Sequence, residues 1–390
     1  MKKKLLLLLC FSVVVLGDAL VVEIGDNLSS SVREHLWPNL AHGGIIIDST
    51  TIMISNEDNL YVQAKNDIEN FYKISLKKDR KDKIRVSKIA ATEKDLFYSA
   101  FSEDEAVFHL YKLNRQTREV TGPVRRLPRI DGVFITEGNK MVTTGNKKDD
   151  YLKHVFRRYK TDYDESVSDA EIAEKRYYEN HEISTITIYD EGLNEELNLN
   201  QIQRTGENLR AFDRAYVMYP ADYSAQEQKL YIIDNSEGYV IKKYSLLTGE
   251  NERFQVEHKK YKEIPSPLTI ERIEKFKKVD ASYSVPYFIY EKNGFIISGF
   301  YQTPILFKEI TPPFYYDISL SSGDHVATGV LKYPIIAEDQ MDKVFAFYRL
   351  EGGWFQDDRL FLVGFSVKEL LSGEVSNQYI EDAVAKYINK

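Results

Sequence analysis

The stretch Lys229–Val256, KLYIIDNSEGYVIKKYSLLTGENERFQV, packs two apolar runs, two turns and the start of a third run into one short segment. Leu230–Ile233 is apolar, and Asp234-Asn235-Ser236-Glu237-Gly238 is turn chemistry. Tyr239–Leu246 is the second run, Thr248-Gly249-Glu250 the second turn, and Phe254 and Val256 open a third strand. Tyr244 and Leu246 fall on one face and Lys243 and Ser245 on the other. That is the period of a strand with one face on a core and the other toward water.

Loose copies of this unit recur along the chain. Gly44–Ile47, Thr51–Ser55, Leu60–Ala64 and Phe71–Leu76 form one set, with Ile84 and Val86 trailing it. Asp95–Val124 holds DLFYSAF, FHLYKL and REVTGPV, and Tyr111-Lys112-Leu113 stands where Tyr244-Ser245-Leu246 stands. A third unit opens at Asp131, is broken by an insertion over about 147–182, and resumes at Thr185–Tyr189. Ser168 and Glu171 have capping-box spacing there, so the insertion is expected to carry a surface helix. The fourth unit runs from Ala215 through the quoted stretch, and a second helix is expected over 268–278 after Pro265 and Pro267. The fifth contains YFIYEKNGFIISGFY, with Asn293-Gly294 supplying the positive φ of a two-residue type I′ turn. The sixth is read over Tyr315–Glu374, where Leu370-Leu371-Ser372-Gly373-Glu374 echoes Leu246–Glu250. Ala19–Gly25 reads as a strand, Val32–Trp37 as a short helix stopped by Pro38, and Val375–Lys390 as a closing helix capped by Ser376.

With Leu76, Leu113, Ile188, Leu246, Phe307 and Leu370 as markers, six units fill the chain at the spacing of propeller blades. A small sheet cannot cover both of its faces alone, so such units stack radially. The expected fold is therefore all-β: a six-bladed β-propeller with short helical insertions, in one domain over 18–390. Seven blades would require the last unit to be split at about Lys343, and two adjacent β-sandwiches are the competing architecture. NLYVQAKNDIENFYKISLKK (59–78) and KLYIIDNSEGYVIKKYSLLTGE (229–250) resemble blade cores of six-bladed propellers of the TolB/NHL-like kind. The resemblance implies that fold and carries over no functional residue.

Composition agrees with a sheet protein: of 390 residues 13% are aromatic, with 27 Tyr. The formal charge is -8, and loss of residues 1–17 with Lys2-Lys3-Lys4 would make it more negative. That opposes binding to nucleic acid. Those three lysines followed by apolar Leu5–Leu16, with small Val15 and Gly17 at the cleavage positions, read as a signal peptide over 1–17 and predict export to the periplasm or cell surface. No later segment is apolar enough to span a membrane. Cys10, the one cysteine, lies inside the leader, where it is a poor fit to a lipid-anchor site. Cleavage after Gly17 would leave no thiol for a disulfide, a thiolate ligand or a nucleophile.

The sequence carries no recognised catalytic or metal-binding motif. The seven histidines show neither HxH nor HExxH spacing, so no metal site and no cofactor are expected. There is no Gly-x-Ser-x-Gly elbow, P-loop, dinucleotide fingerprint or EF-hand. Arg125-Arg126-Leu127-Pro128-Arg129 clusters basic groups between two blades, and Arg126 and Arg129 could fork onto an anion. Tyr315, Tyr316 and Trp354 lie in aromatic segments suited to protein or saccharide contact. These five residues are the candidate partner site, at one mouth of the channel of a monomer. The expectation is a binding or interaction module. An enzyme on the same scaffold, such as a carbohydrate hydrolase or lyase, would instead need converging carboxylates, for which Asp48, Glu291 and Asp317 are the candidates. A structural envelope component would show neither feature.

Overall fold

The protein is described by a computed structural model. It covers residues 19–24, 44–56, 58–77, 84–102, 107–127, 129–136, 138–146, 182–190, 194–204, 220–234, 238–263, 282–304, 313–339, 341–352 and 359–389. The leader over 1–17, the expected helices over 32–37 and 268–278, nearly all of the 147–182 insertion, and Trp354 lie outside these residues.

Six four-stranded antiparallel sheets account for every described strand. The first strand in chain order, β1 (Leu20–Ile24), stands apart from its neighbours in sequence. Blade 1 follows as β2 (Ile45–Ile47), β3 (Thr51–Asn56), β4 (Asn59–Ala64) and β5 (Asp67–Ser75), and blade 2 as β6 (Ile84–Ala91), β7 (Asp95–Ser102), β8 (Val107–Asn114) and β9 (Val120–Leu127). Blade 3 is β10 (Arg129–Ile135), β11 (Met141–Asn146), β12 (Glu182–Tyr189) and β13 (Glu195–Arg204). Blade 4 is β14 (Ala221–Ser224), β15 (Lys229–Asp234), β16 (Val240–Ser245) and β17 (Asn251–Gln255). Blade 5 is β18 (Ser282–Lys292), β19 (Phe295–Pro304), β20 (Phe314–Leu320) and β21 (His325–Leu331). Blade 6 has β22 (Ile335–Glu338), β23 (Lys343–Leu350) and β24 (Arg359–Ser366), and takes β1 as its fourth, outermost strand. Each blade's first strand is innermost. These six strands touch in a ring, β2 meeting β6 and β22, β10 meeting β6 and β14, and β18 meeting β14 and β22. The fold is a six-bladed β-propeller.

The period-2 signal has a simple physical basis here. In β15, Leu230 and Ile232 enter the seam with blade 3, whereas Tyr231 and Ile233 enter the seam with blade 5. Buried apolar clusters occupy all six seams between neighbouring blades, so the core is a set of radial layers rather than one centre. Each fully buried large side chain in such a layer contributes about 1.5–3 kcal/mol. The face of β16 expected to be wet is also covered: Lys243 is buried and its ammonium lies 3.1 Å from Glu227. A blade's middle strands have a neighbour on both faces, so charged residues there must be paired.

Three boundaries differ from the sequence reading. Ile84 and Val86 open blade 2 rather than close blade 1, and Tyr315 and Tyr316 belong to blade 5 rather than the sixth unit. Leu370 is not on a strand but in helix α1 (Val367–Ser372), which ends at Gly373 in the left-handed region. The echo of Leu246–Glu250 reflects a shared chain reversal, since Gly249 and Gly373 have φ of 73° and 75°. The closing helix α2 (Asn377–Ile388) forms as expected, with the Ser376 hydroxyl accepting from the Tyr379 amide. Its Ile380 and Val384 join Phe361, Val363 and Phe365 of β24 in one core layer.

Candidate functional site

The ring of inner strands encloses a cavity of about 620 Å³, lined by residues of β2, β6, β10, β14, β18 and β22. Each inner strand is hydrogen-bonded to its blade on one side only, so its other edge turns backbone polar groups toward this channel. Ionisable side chains converge at the end where β18 and β22 finish. They come from three separate blades: Asp222 of β14, Glu291 and Lys292 of β18, and Glu338 with the adjoining Asp339 of β22.

Local structure fixes each of them. β18 runs into the Asn293-Gly294 turn, where φ is positive at both residues, 54° and 80°. The turn brings the Gly294 amide to Glu291 Oε1 at 2.7 Å. The Glu291 amide in turn donates to Asp222 Oδ2 at 2.7 Å, tying blade 5 to blade 4. Lys292 reaches the other way: its Nζ lies 2.7 Å from Glu338 Oε2 and donates to the Asp339 carbonyl at 2.5 Å. Asp339 Oδ1 accepts from the Met341 and Lys343 amides at 3.0 and 2.9 Å. Its Oδ2 is buried with no hydrogen-bond partner.

The electrostatics follow from burial. Burial raises the Asp222 pKa, and Lys292 and the Glu291 amide offset part of that rise. Burial and the neighbouring Asp222 charge push the Glu338 carboxyl up to about 8, with Lys292 opposing them. The Asp222 carboxyl beside it favours the protonated form of Glu338, since two adjacent acids cannot both ionise cheaply. Burial disfavours the Lys292 ammonium, but Glu338, Asp222 and Asp339 outweigh it and hold its pKa above the usual value. Among the described residues no group of three or more Asp, Glu, His or Cys side chains is arranged to hold a metal ion.

Of the carboxylates singled out from sequence, Glu291 lines the channel and Asp48 and Asp317 do not. Asp48 sits in the β2–β3 turn, accepting from the Thr50 and Thr51 amides and 3.7 Å from Arg115. Asp317 is fully buried in β20, at the seam with blade 4, where the Tyr239 hydroxyl is its polar neighbour. Burial pushes it up to about 7. Tyr315 and Tyr316 also lie in β20 and not on a mouth loop: Tyr315 stacks on Phe300 at 5.1 Å, and Tyr316 is buried over Gly329. Arg126 is on β9, the outermost strand of blade 2, opposite His109, and Arg129 starts β10 opposite Asn146. Of the five candidate partner residues, Trp354 lies outside the described residues, and the other four fall on β9, β10 and β20. Sequence reading passed over Asp222, Lys292, Glu338 and Asp339. The signal that marks them is position: each stands at or beside an inner strand of a blade, three of them just ahead of that blade's first turn.

No protein-family model matches the chain, and no curated protein matches it. Solved structures similar to it include a candidate exported protein of Bacteroides fragilis, with 11% identity over 88% of this chain and 94% of that one, at a TM-score of 0.49. Regucalcin, a calcium-binding protein of Agrobacterium tumefaciens, is 13% identical over 85% and 92% of the two chains, at 0.43. A candidate TolB of the same organism is 10% identical over 83% and 90%, also at 0.43. The class of protein rests on the chain's own sheets, which define a six-bladed β-propeller.

Proposed function

We propose that the protein is an exported binding module whose ligand seats in the channel mouth formed by β14, β18 and β22. The observation that carries this reading is the convergence of five ionisable side chains from three blades on one cavity of about 620 Å³. Buried charge of this kind costs stability and is not needed to close a propeller, whereas pockets with a few convergent polar groups are where ligands bind. Export is supported by the basic residues Lys2–Lys4 and the apolar run Leu5–Leu16. Among the described residues no helix is long and apolar enough to cross a membrane.

A thermal-shift screen with peptides, oligosaccharides and small charged molecules tests the reading. At least one compound raises Tm, and Met341→Trp, at an exposed rim position of the cavity, weakens that shift without lowering the stability of the free protein. A hit indifferent to this substitution would place the ligand elsewhere.

A second reading, a hydrolase or lyase in the same channel, is favoured by one feature: Glu338 holds its proton near neutrality, as a general acid must. The contact between Asp222 and Glu338 weighs against a glycosidase, because its two carboxyl groups stand roughly 5–10 Å apart. Turnover of a saccharide that Glu338→Gln abolishes would establish the enzyme.

A further inference from the structure

We propose that the channel mouth recognises an organic cation, whose ammonium or guanidinium group sits among the carboxyl groups of Asp222, Glu338 and Asp339. The proposal deepens the binding reading and rests on it. Among the charged residues that line the cavity, four are acids (Asp222, Glu291, Glu338 and Asp339) and two are lysines, Lys88 and Lys292. The acids are only partly satisfied by the protein. Glu291 Oε1 takes one backbone amide, Asp222 takes the Glu291 and Tyr223 amides, and Asp339 Oδ1 takes two. Asp339, 3% exposed, keeps Oδ2 buried without any donor. Leaving a buried acceptor unpaired costs about 1–3 kcal/mol. A ligand cation at the mouth offsets that cost through its charge, since Oδ2 itself has no exposed surface from which to accept.

The second observation is the contact between Asp222 and Glu338. Two touching carboxyl groups ionise together only when a positive charge joins them. In the free protein the proton on Glu338 serves, with Lys292 held on one side at 2.7 Å. A ligand cation takes the place of that proton and releases it to solvent. A bare metal ion fits poorly, since the described acids and histidines form no set of three at ligand spacing. An anion fits worse, because Lys292 already lies against Glu338 and the Asp339 carbonyl. The cavity also has room for an organic body behind the charged head, within the range of about 300–1,000 Å³ that small-molecule sites occupy.

Binding is therefore linked to pH. The groups facing Glu338 are Asp222 from β14, Tyr290 and Lys292 from β18, and Asp339 adjoining its own strand. Tyr290, raised well above its usual range by burial and the Glu338 and Asp222 charges, stays neutral, and Lys292 stays protonated, so the acid pair sets the dependence.

Isothermal titration of the full chain with butylamine, putrescine, butanol and butyrate, which share a four-carbon body, decides the matter. The two amines are expected to bind about tenfold or more tighter than butanol and butyrate, and about tenfold tighter at about pH 9 than at about pH 6.5, with release of a proton. Glu338→Gln and Asp222→Asn should each weaken amine binding about tenfold or more. Circular dichroism shows which of the two variants is folded and so usable. Tighter binding of butyrate or butanol than of the amines overturns the cation and leaves the binding module standing. So does binding of the amines that neither variant alters. If none of the four binds, the cation is again overturned, and the binding module is then decided by the broader screen with Met341→Trp.

Discussion

Blades 4 and 6 both supply acids to the channel mouth, Asp222 from one and Glu338 with Asp339 from the other, yet they are assembled differently. Blade 4 is contiguous from Ala221 to Gln255, and its outermost strand β17 is mostly exposed. Blade 6 is completed from the far end of the chain: β1 pairs with β24 in the register Val22↔Leu362, and Glu23 receives two hydrogen bonds from Arg359, at 2.6 and 2.7 Å. Val22, Glu23 and Ile24 are all buried, and α2 packs against β1 and β24. The outer strand of blade 4 is thus a margin, while that of blade 6 is a clasp. Since Glu338 faces Asp222 across blade 5, the geometry of the acid pair depends on the clasp holding the ring shut.

The sharpest way to break this comparison is to change one side chain in each outer strand, each at a position typical of that strand. Val22→Asp buries an unpaired charge in the clasp and should cost about 3–5 kcal/mol. Glu252→Ala, at a β17 side chain that is 71% exposed, should cost about 0.5 kcal/mol or less. Urea denaturation measures both, and equal losses would remove the distinction.

The seams flanking blade 5 sharpen it further. The seam with blade 6 is a large apolar layer, whereas that with blade 4 holds the Tyr239 hydroxyl, which donates to Ser298 Oγ at 2.7 Å, and the buried Asp317 beside it. Because the folded pKa of Asp317, about 7, lies above the unfolded value near 3.8, the folded state binds the extra proton between those values. Stability should fall as pH rises from about 4 to about 7 and be flat beyond, a loss on the order of 2–4 kcal/mol. Asp317→Asn should abolish that slope, read from Tm across the range. A smaller effect is expected at Gly364 of β24, where an added Cβ would lie 2.6 Å from the buried Phe345 ring. Gly364→Ala should cost about 1–3 kcal/mol by overpacking blade 6. The smallest is Ser376→Ala, which removes the cap of α2 and should cost about 1 kcal/mol.

What could be read from sequence follows the same division. Strands and tight turns are local, so the quoted stretch and the Asn293-Gly294 hairpin appear in the fold much as written. Ala19–Gly25 was legible as a strand, but its partner lies more than three hundred residues away and no local pattern names it. Blade limits were blurred because a turn within a blade and a crossing between blades use the same residues. Tyr315 reads as the start of the sixth unit and lies in the fifth for that reason. The site was legible only at Glu291, which sits beside a recognisable turn. Asp222, Lys292, Glu338 and Asp339 become a group only when three blades close on one axis. Asp317 looked the same as Glu291 in sequence, and strand order alone separates a channel position from a buried seam.

Closure of the ring by the N-terminal strand carries the rest, and a disulfide trap measures it directly. In a Cys10→Ser background, Val22→Cys combined with Leu362→Cys places two thiols on directly opposed residues, whose Cβ atoms lie about 4.5–5.5 Å apart in an antiparallel pair. Mild oxidation should yield a monomeric, internally cross-linked chain that migrates faster on a non-reducing gel and has no free thiol. Two thiols that stay reactive, or link only between molecules, would contradict the clasp.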